Sequence, residues 1–371
     1  MSKPPQPLLQ LPIKRIAIVR SLRGLSDLLC AIPALRALRA AWTDAHITLI
    51  GLPKARPLIQ RFQDYIDEFL EFPGYPGIPE VSPSVHQLPA FFAQVHSCGF
   101  DLTLQMHGNG LITNSFAALL GARFNAGFYV PGHFCPDPNY FLPYPDSEPE
   151  IWRHLRLMEF LGIPLQGDEL EFPLQEADFL ELNQIPEMRY LQQVKYACIH
   201  PGASVPERRW SVEHFAKVGD AIAARGYQVV LTGTIAEANL TEAVSQRMQA
   251  QAINLAGKTS LGAMAALLIH AQLVVCNDTG ISHLAAALHV PSVVIFSNSQ
   301  LSRWAPLNRQ RHRVLSPEFQ VPSSEWIGNF PVRTEQNLLV SAKLPVTPTM
   351  VMGQVEYLLG KQVSTINPNS Y

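Results

Sequence analysis

The sequence lacks an excess of charge and any long hydrophobic run. Its 371 residues carry 28 basic and 30 acidic side chains, a net charge of −2, which gives no support to nucleic acid as the main partner because phosphate binding requires a basic excess. No apolar run approaches the ~18 residues that a membrane-spanning helix needs. Residues 1–14 contain four prolines and no apolar signal core, and we expect a mobile arm there.

Cysteine pairs and several common site motifs are also missing. The five cysteines are too dispersed for a C-x-x-C motif, so they are interpreted as reduced thiols and favour a cytoplasmic location. There is no G-x-G-x-x-G, which removes support for a nicotinamide or flavin cofactor, and no G-x-S-x-G, which argues against an α/β-hydrolase.

What the sequence does contain is two runs of alternating strands and helices, which predict two α/β domains. The first run has strands at 16–19, 47–50 and 101–105, a helix at 28–42 that Pro33 either kinks or begins, and a helix near 114–120. A proline-rich loop at 131–149 and a helix at 152–161 follow. The second run has strands at 196–200, 228–232, 253–255, 273–276 and 292–296, with helices at 212–225, 236–250, 261–270, 281–289 and 350–359. The predicted boundaries are 15–165 for the first domain, 166–195 for a linker, 196–348 for the second domain and 349–371 for a final helix and tail.

Three strand-to-helix turns could hold a ligand, because the backbone N–H groups at a helix start favour anions. The first is RSLRGLSD at 20–27, where Ser26 or Asp27 could equally be a simple helix cap, the reading that position alone favours. The second is HPGASVPERRW at 200–210, in which Ser204 offers a hydroxyl and Arg208 a planar fork suited to phosphate. A solvated loop with surface arginines remains the alternative there.

The third turn follows the strand that ends at Cys276. Thr279 and Gly280 would present free N–H groups at the start of an alanine-rich helix. Taken alone, Asp278 is more often a cap and His283 more often a structural imidazole, and their spacing is not a strong metal signature.

Polar residues after the strand at 101–105 could face a second substrate. The candidates are His107, Asn109 and Asn114, and isolated residues of this kind also serve as ordinary loop or cap hydrogen-bonding groups.

Taken together, these segments resemble glycosyltransferase family 9, the heptosyltransferase-like enzymes of bacterial surface-polysaccharide assembly. The resemblance runs from about residue 15 to 306, and its most specific block is NDTGISHLAAAL followed by RWAP at 303–306. The other anchors are IVRSLRGLSDLLCAIPALRALRAAW, FDLTLQMHGNG and HPGASVPERRW. The first anchor departs from the family pattern, since Ser26 stands where glycine is expected.

The resemblance implies a GT-B fold: two Rossmann-like α/β domains facing a central cleft, with the last helix returning toward the first domain. It implies an inverting, metal-independent glycosyltransferase without a cofactor, which moves a heptose-type sugar from a nucleotide-diphosphate sugar such as ADP-heptose. The implied acceptor is a lipopolysaccharide core or another glycolipid or oligosaccharide. The expected location is cytoplasmic, with peripheral contact at the inner face of the membrane.

The resemblance also implies roles for individual residues. Asp27 matches the general base, and Arg208 lies where the family commonly has lysine and would serve the donor phosphates. Glu237 falls where an acidic residue can meet the donor ribose. The remaining residues expected on the donor side are Ser204, Asp278, Thr279, Gly280 and His283.

Two alternatives stay open. One is a nucleotide-sugar epimerase on the same architecture, which would need no acceptor. The other is a sugar-nucleotide-binding protein without transfer activity, an alternative that the altered turn at Ser26 keeps open.

Overall fold

The computed structural model describes residues 7–317, 326–327, 330–331 and 345–364. The chain divides into two compact units, Met1–Pro173 (unit 1) and Leu174–Tyr371 (unit 2). Most of the expected arm at 1–14 is either outside the described residues or irregular, but Leu8–Gln10 forms a single 3₁₀ turn with Leu8 buried. No described helix is long and apolar enough to cross a membrane.

Unit 1 is built on a parallel sheet of six strands in the order β3-β2-β1-β4-β5-β6. The strands are β1 (Arg15–Val19), β2 (His46–Gly51), β3 (Glu68–Glu71), β4 (Leu102–Gln105), β5 (Phe124–Tyr129) and β6 (Phe141–Pro143). The three predicted strands of this half are confirmed, whereas the sequence pattern does not predict β3, β5 or β6. The prediction of a loop over all of 131–149 was wrong at β6, an edge strand that ends in Pro143, where a missing N–H is tolerated.

The helices of unit 1 follow the strands. They are α1 (Leu25–Leu29), α2 (Ile32–Ala41), α3 (Arg56–Ile59), α4 (Leu88–Cys98), α5 (Thr113–Leu119) and α6 (Glu150–Phe160). The predicted helix at 28–42 is divided into α1 and α2, and Pro33 lies in the first turn of α2. Proline fits there because the first helical N–H groups have no intrahelical acceptor.

Unit 2 repeats the same sheet topology. Its parallel sheet has the order β12-β11-β10-β7-β8-β9. The strands are β7 (Tyr196–His200), β8 (Gln228–Leu231), β9 (Ile253–Asn254), β10 (Val274–Asn277), β11 (Ser292–Ile295) and β12 (His312–Leu315). β12 lies in the stretch 298–348, which was expected to be a loop. Most of residues 318–344 lie outside the described residues. A separate antiparallel pair joins β13 (Trp326–Ile327) and β14 (Phe330–Pro331).

The helices of unit 2 cover both faces of its sheet. They are α7 (Glu176–Asn183), α8 (Met188–Leu191), α9 (Val212–Ala223), α10 (Ala238–Arg247), α11 (Leu261–Leu268), α12 (Gly280–Ala287), α13 (Leu301–Trp304) and α14 (Pro348–Ser364). α7 and α8 lie in the segment 166–195 that was expected to be a linker. Both helices belong to unit 2. α7 packs against α11, where the Glu181 carboxylate accepts the N–H of Ser260, the N-cap residue of α11, at 3.0 Å.

The last helix also packs on unit 2. Val351 and Val355 of α14 are fully buried in a core shared with α9, β10 and β11. The indole N–H of Trp210 donates to the Val346 carbonyl at 3.0 Å and holds the segment that leads into α14. A return of this helix toward the first domain stays a prediction.

Both sheets reverse their strand order at the centre, between β1 and β4 in unit 1 and between β7 and β10 in unit 2. In open parallel sheets, ligands bind outside the carboxyl ends of the strands at such a reversal. Each unit therefore has one defined place for a site.

Candidate functional site

In unit 1, the loops that follow β1 and β4 meet at the reversal of strand order. Arg20, directly after β1, donates from Nη1 to the Met106 carbonyl at 2.6 Å, and the Ser21 N–H donates to His107 Nδ1 at 3.1 Å. The Arg20 Nε also donates to the Asp27 carbonyl at 2.8 Å. These bonds hold the backbone of Asp27 beside the loop that carries His107.

The Asp27 carboxylate is positioned by the start of its own helix. Asp27 is the third residue of α1, and its Oδ2 accepts the N–H of Gly24, the N-cap residue, at 3.0 Å. A Cβ atom at position 24 would overlap that oxygen, so only glycine allows the approach. Glycine at position 24 thus allows the backbone to approach the Asp27 carboxylate closely. The position where the family pattern has glycine is occupied by Ser26.

A buried ionic cluster, which the sequence analysis missed, supports this turn. Glu150 lies 3.5 Å from Arg20 Nη2 and 3.5 Å from Arg153 Nη1, and it lies 3.4 Å from His154 Nε2. All four side chains are at most 4% exposed. Burial lowers the pKa of His154 to about 4, so the imidazole is neutral at pH 7. Two guanidinium groups then face one carboxylate, and the cluster adds positive charge beside the turn of Asp27.

The three acceptor candidates have different environments. His107 and Asn109 line a cavity of about 210 Å³, whose opposite wall is formed by residues 77–79. Asn109 Oδ1 accepts the Leu111 N–H at 3.1 Å and shapes this loop. Asn114 is fully buried and donates to the Phe128 carbonyl at 2.9 Å. An acceptor role for Asn114 stays a prediction, and its burial does not favour that role.

In unit 2, Asn277 holds together the two loops at the reversal. Its Oδ1 accepts the Trp210 N–H at 2.9 Å, and its Nδ2 donates to the Pro201 carbonyl at 2.8 Å. Asn277 has no exposed surface, so these bonds satisfy its amide away from water. The role of Asn277 could not be predicted from the sequence, because an asparagine at a strand end is also an ordinary turn residue.

Arg208 and Asp278 face each other across these loops. Arg208 Nη1 lies 4.0 Å from Asp278 Oδ2, and the arginine side chain is 35% exposed while the aspartate is 4% exposed. Burial raises the pKa of Asp278, and the charge of Arg208 opposes that shift. The Arg208 guanidinium is thus accessible to a ligand, and the buried Asp278 carboxylate lies 4.0 Å from it.

The helix after Asp278 begins at the same edge. Thr279 is the N-cap residue of α12, and its side chain caps no backbone N–H. The first amides of a helix have no intrahelical acceptor, so Gly280 presents its N–H group to an anion, whereas the Ser282 N–H donates to the Thr279 carbonyl at 3.0 Å. His283 is buried one turn further on, with its ring centroid 6.2 Å from that of Trp304.

Glu237 lies after β8, at the carboxyl edge of the sheet. Its Oε2 accepts the N–H of Thr234 at 2.8 Å and the Thr234 hydroxyl at 2.9 Å. Its Oε1 lies so close to Gly202 that a Cβ atom at position 202 would overlap it. The approach of Glu237 to this backbone therefore requires glycine at position 202. His200 Nε2 lies 4.0 Å from the same carboxylate, and burial lowers the pKa of His200. Ser204 is exposed on the neighbouring loop.

The sequence model of glycosyltransferase family 9 (heptosyltransferase) matches residues 89–325, more than half of the chain. The chain belongs to glycosyltransferase family 9. The structure of a family 9 member from Veillonella parvula DSM 2008 superposes with a TM-score of 0.77 at 22% identity, covering 95% of this chain and 99% of that one. The Escherichia coli heptosyltransferase WaaC with ADP-2-deoxy-2-fluoro heptose superposes with a TM-score of 0.62 at 18% identity, covering 92% and 99%. These likenesses confirm the predicted GT-B fold class.

Among curated proteins, this family 9 chain is 28% identical over 169 residues to lipooligosaccharide heptosyltransferase 2 of Haemophilus influenzae strain Rd. The match covers 43% of the chain and 46% of that relative. The aligned part therefore spans less than half the length of this relative. No group of three or more His, Cys, Asp or Glu side chains is placed to hold a metal ion in the described part of this family 9 protein.

The first prediction concerns Gly24. Gly24→Ala should leave the fold intact, because the φ of −85° at this position suits alanine. The added methyl group should displace the Asp27 carboxylate and lower kcat of sugar transfer roughly 10–100-fold, as small misplacements of a catalytic group do. Steady-state kinetics and thermal unfolding check this. Wild-type kcat in a folded Gly24→Ala protein would show that the close contact has no functional role.

The second prediction concerns Asn277. Asn277→Ala should lower the free energy of unfolding by about 1–3 kcal/mol, because it leaves the Trp210 N–H and the Pro201 carbonyl buried without a partner. Denaturant unfolding of unit 2 measures the loss, and Asn239→Ala on the exposed side of α10 is the matched control. Equal stability of the two variants would contradict the assigned role.

Proposed function

We propose that the protein is an inverting, metal-independent glycosyltransferase. It moves a heptose-type sugar from a nucleoside-diphosphate sugar to the core of lipopolysaccharide or another surface glycan. The observation that carries the proposal is that Asp27 and His107 in unit 1, and Arg208, Asp278 and Thr279 in unit 2, follow strands at the carboxyl edge of each sheet where the strand order reverses. Membership of family 9 and the ADP-sugar bound to the E. coli structure support the choice of donor class.

In the proposed reaction, unit 2 binds the donor. The diphosphate accepts hydrogen bonds from the first amides of α12 at Thr279 and Gly280 and from the guanidinium of Arg208. Glu237 accepts from the ribose hydroxyls, and Ser204 donates its hydroxyl from the facing loop. His283 packs against Trp304 and fixes the first turn of α12 beneath the diphosphate.

Unit 1 supplies the base and the acceptor pocket. Asp27 removes the proton of the acceptor hydroxyl as that oxygen bonds to the anomeric carbon, and the bond to the diphosphate breaks on the opposite face. The acceptor enters the cavity lined by His107 and Asn109. Because attack and departure occur on opposite faces, the anomeric configuration is inverted in one displacement.

The cations and amides of unit 2 account for catalysis without a metal ion. Negative charge grows on the leaving diphosphate in the transition state, and preorganised donors aimed at it lower the barrier. A cytoplasmic location, at the inner face of the membrane where a glycolipid acceptor is presented, is part of the same proposal.

The third prediction tests the base. Asp27→Asn should lower kcat about 10²–10⁴-fold because the general base is lost, while the affinity for the nucleoside diphosphate stays unchanged. Asp64→Asn, an exposed aspartate of the same unit, is the control. Turnover near that of the wild type in Asp27→Asn would remove Asp27 from the mechanism.

The fourth prediction tests the diphosphate site. Arg208→Ala should weaken binding of ADP roughly 10–100-fold, the value of a hydrogen bond to a charged group. Calorimetric titration measures this, with Arg189→Ala, an exposed arginine of unit 2, as the control. An unchanged ADP affinity argues against the role of Arg208.

The alternatives are separated by what happens to the donor. ADP-heptose should be consumed only when an acceptor glycolipid is supplied. Conversion of the donor alone to an epimer would indicate an epimerase, and binding without turnover in both conditions would indicate a sugar-nucleotide-binding protein.

A further inference from the structure

The loop between β1 and α1, which leads to Asp27, is bonded to a buried imidazole. The backbone N–H of Ser21 donates to His107 Nδ1 at 3.1 Å, and the Ser21 hydroxyl lies at the same distance from that nitrogen. Ser21 has no exposed surface and His107 is 6% exposed. A backbone N–H buried at this depth needs an acceptor, because water cannot replace it. The acceptor here is the ring of His107.

The opposite nitrogen of this ring faces a carboxylate. Because Nδ1 accepts an amide proton, the neutral ring carries its own proton on Nε2. Burial, with a smaller effect of Arg20, lowers the pKa of His107 to about 4, so the neutral ring is the form present at pH 7. Nε2 lies 3.5 Å from Glu80 Oε2. Glu80 Oε2 is buried and has no hydrogen-bond partner within the described residues, so the Nε2 proton of His107 lies next to an unsatisfied carboxylate oxygen.

The backbone of Glu80 is tied to the same loop. Arg23 donates from Nε to the Glu80 carbonyl at 3.0 Å and from Nη2 to the Pro79 carbonyl at 3.3 Å. Together these contacts connect the loop after β1 to His107, His107 to Glu80, and Glu80 back to the same loop through Arg23. Arg23 is followed directly by Gly24, whose N–H holds the Asp27 carboxylate.

We propose that Glu80 and His107 are a positioning pair for Asp27. The Ser21 N–H and Glu80 favour the same tautomer, with the proton on Nε2, so that Nδ1 accepts from Ser21 and fixes the loop that leads to Asp27. The pair acts through the loop and does not touch the reacting atoms. This inference rests on the proposed role of Asp27 as the base.

The test uses three variants of the full-length protein. Glu80→Gln removes the charge, and His107→Leu removes the acceptor. His107→Asn keeps an oxygen near the position of Nδ1. Glu80→Gln and His107→Leu should lower kcat roughly 10–100-fold, because they misplace a catalytic group, while KM for the donor stays within about threefold. His107→Asn should recover much of the kcat that His107→Leu loses.

A second readout does not depend on activity. Amide hydrogen exchange in the segment 21–27 should be faster in Glu80→Gln and His107→Leu than in the wild type, without any ligand present. His86→Asn, an exposed histidine of unit 1, is the matched control and should change neither kcat nor exchange. Thermal unfolding of every variant shows whether the protein assayed is folded.

Each outcome decides one point. A higher acceptor KM with unchanged kcat would make His107 an acceptor contact and overturn the positioning role. Unchanged kcat and exchange in folded Glu80→Gln and His107→Leu would overturn it as well. If Asp27→Asn keeps wild-type turnover, it is the proposed base that fails, so the two failures are distinguishable.

Discussion

A single buried polar side chain holds each site together at the point where the strand order of its sheet reverses. Arg20 does this in unit 1, through the carbonyls of Met106 and Asp27, and Asn277 does it in unit 2, through Trp210 and Pro201. Without these bonds the loops at each carboxyl edge would have buried polar groups without partners. These two side chains fix the loops that carry His107 in unit 1 and Arg208 in unit 2.

The two units contribute different chemistry from the same topology. In unit 1 the turn after β1 uses its amide at Gly24 to hold a carboxylate, Asp27, which suits proton abstraction. In unit 2 the turn after β10 begins a helix of small residues, and Arg208 of the loop after β7 lies 4.0 Å from Asp278 of that turn, an arrangement that suits binding of an anion. One helix start is thus occupied by the protein's own carboxylate, and the other is available to a phosphate.

Much of this could be predicted from the sequence because it depends on local patterns. Apolar strands followed by glycine-containing turns located β1, β7 and β10, and with them Asp27, Arg208 and Asp278. Charged or short segments such as β3 and β6 give no such pattern, since they are defined by pairing with distant strands. Side chains whose role depends on those distant contacts, such as Glu80, Glu150 and Asn277, could not be recognised from their sequence neighbours.

The proposed function requires the carboxyl edge of the second sheet to hold the diphosphate of an activated sugar. The most direct measurement is a crystal structure of the protein with ADP bound. We expect the phosphate oxygens within hydrogen-bond distance of the Arg208 guanidinium and of the Gly280 N–H at the start of α12. ADP bound at another place, with both of these groups left in contact with solvent, would contradict the account.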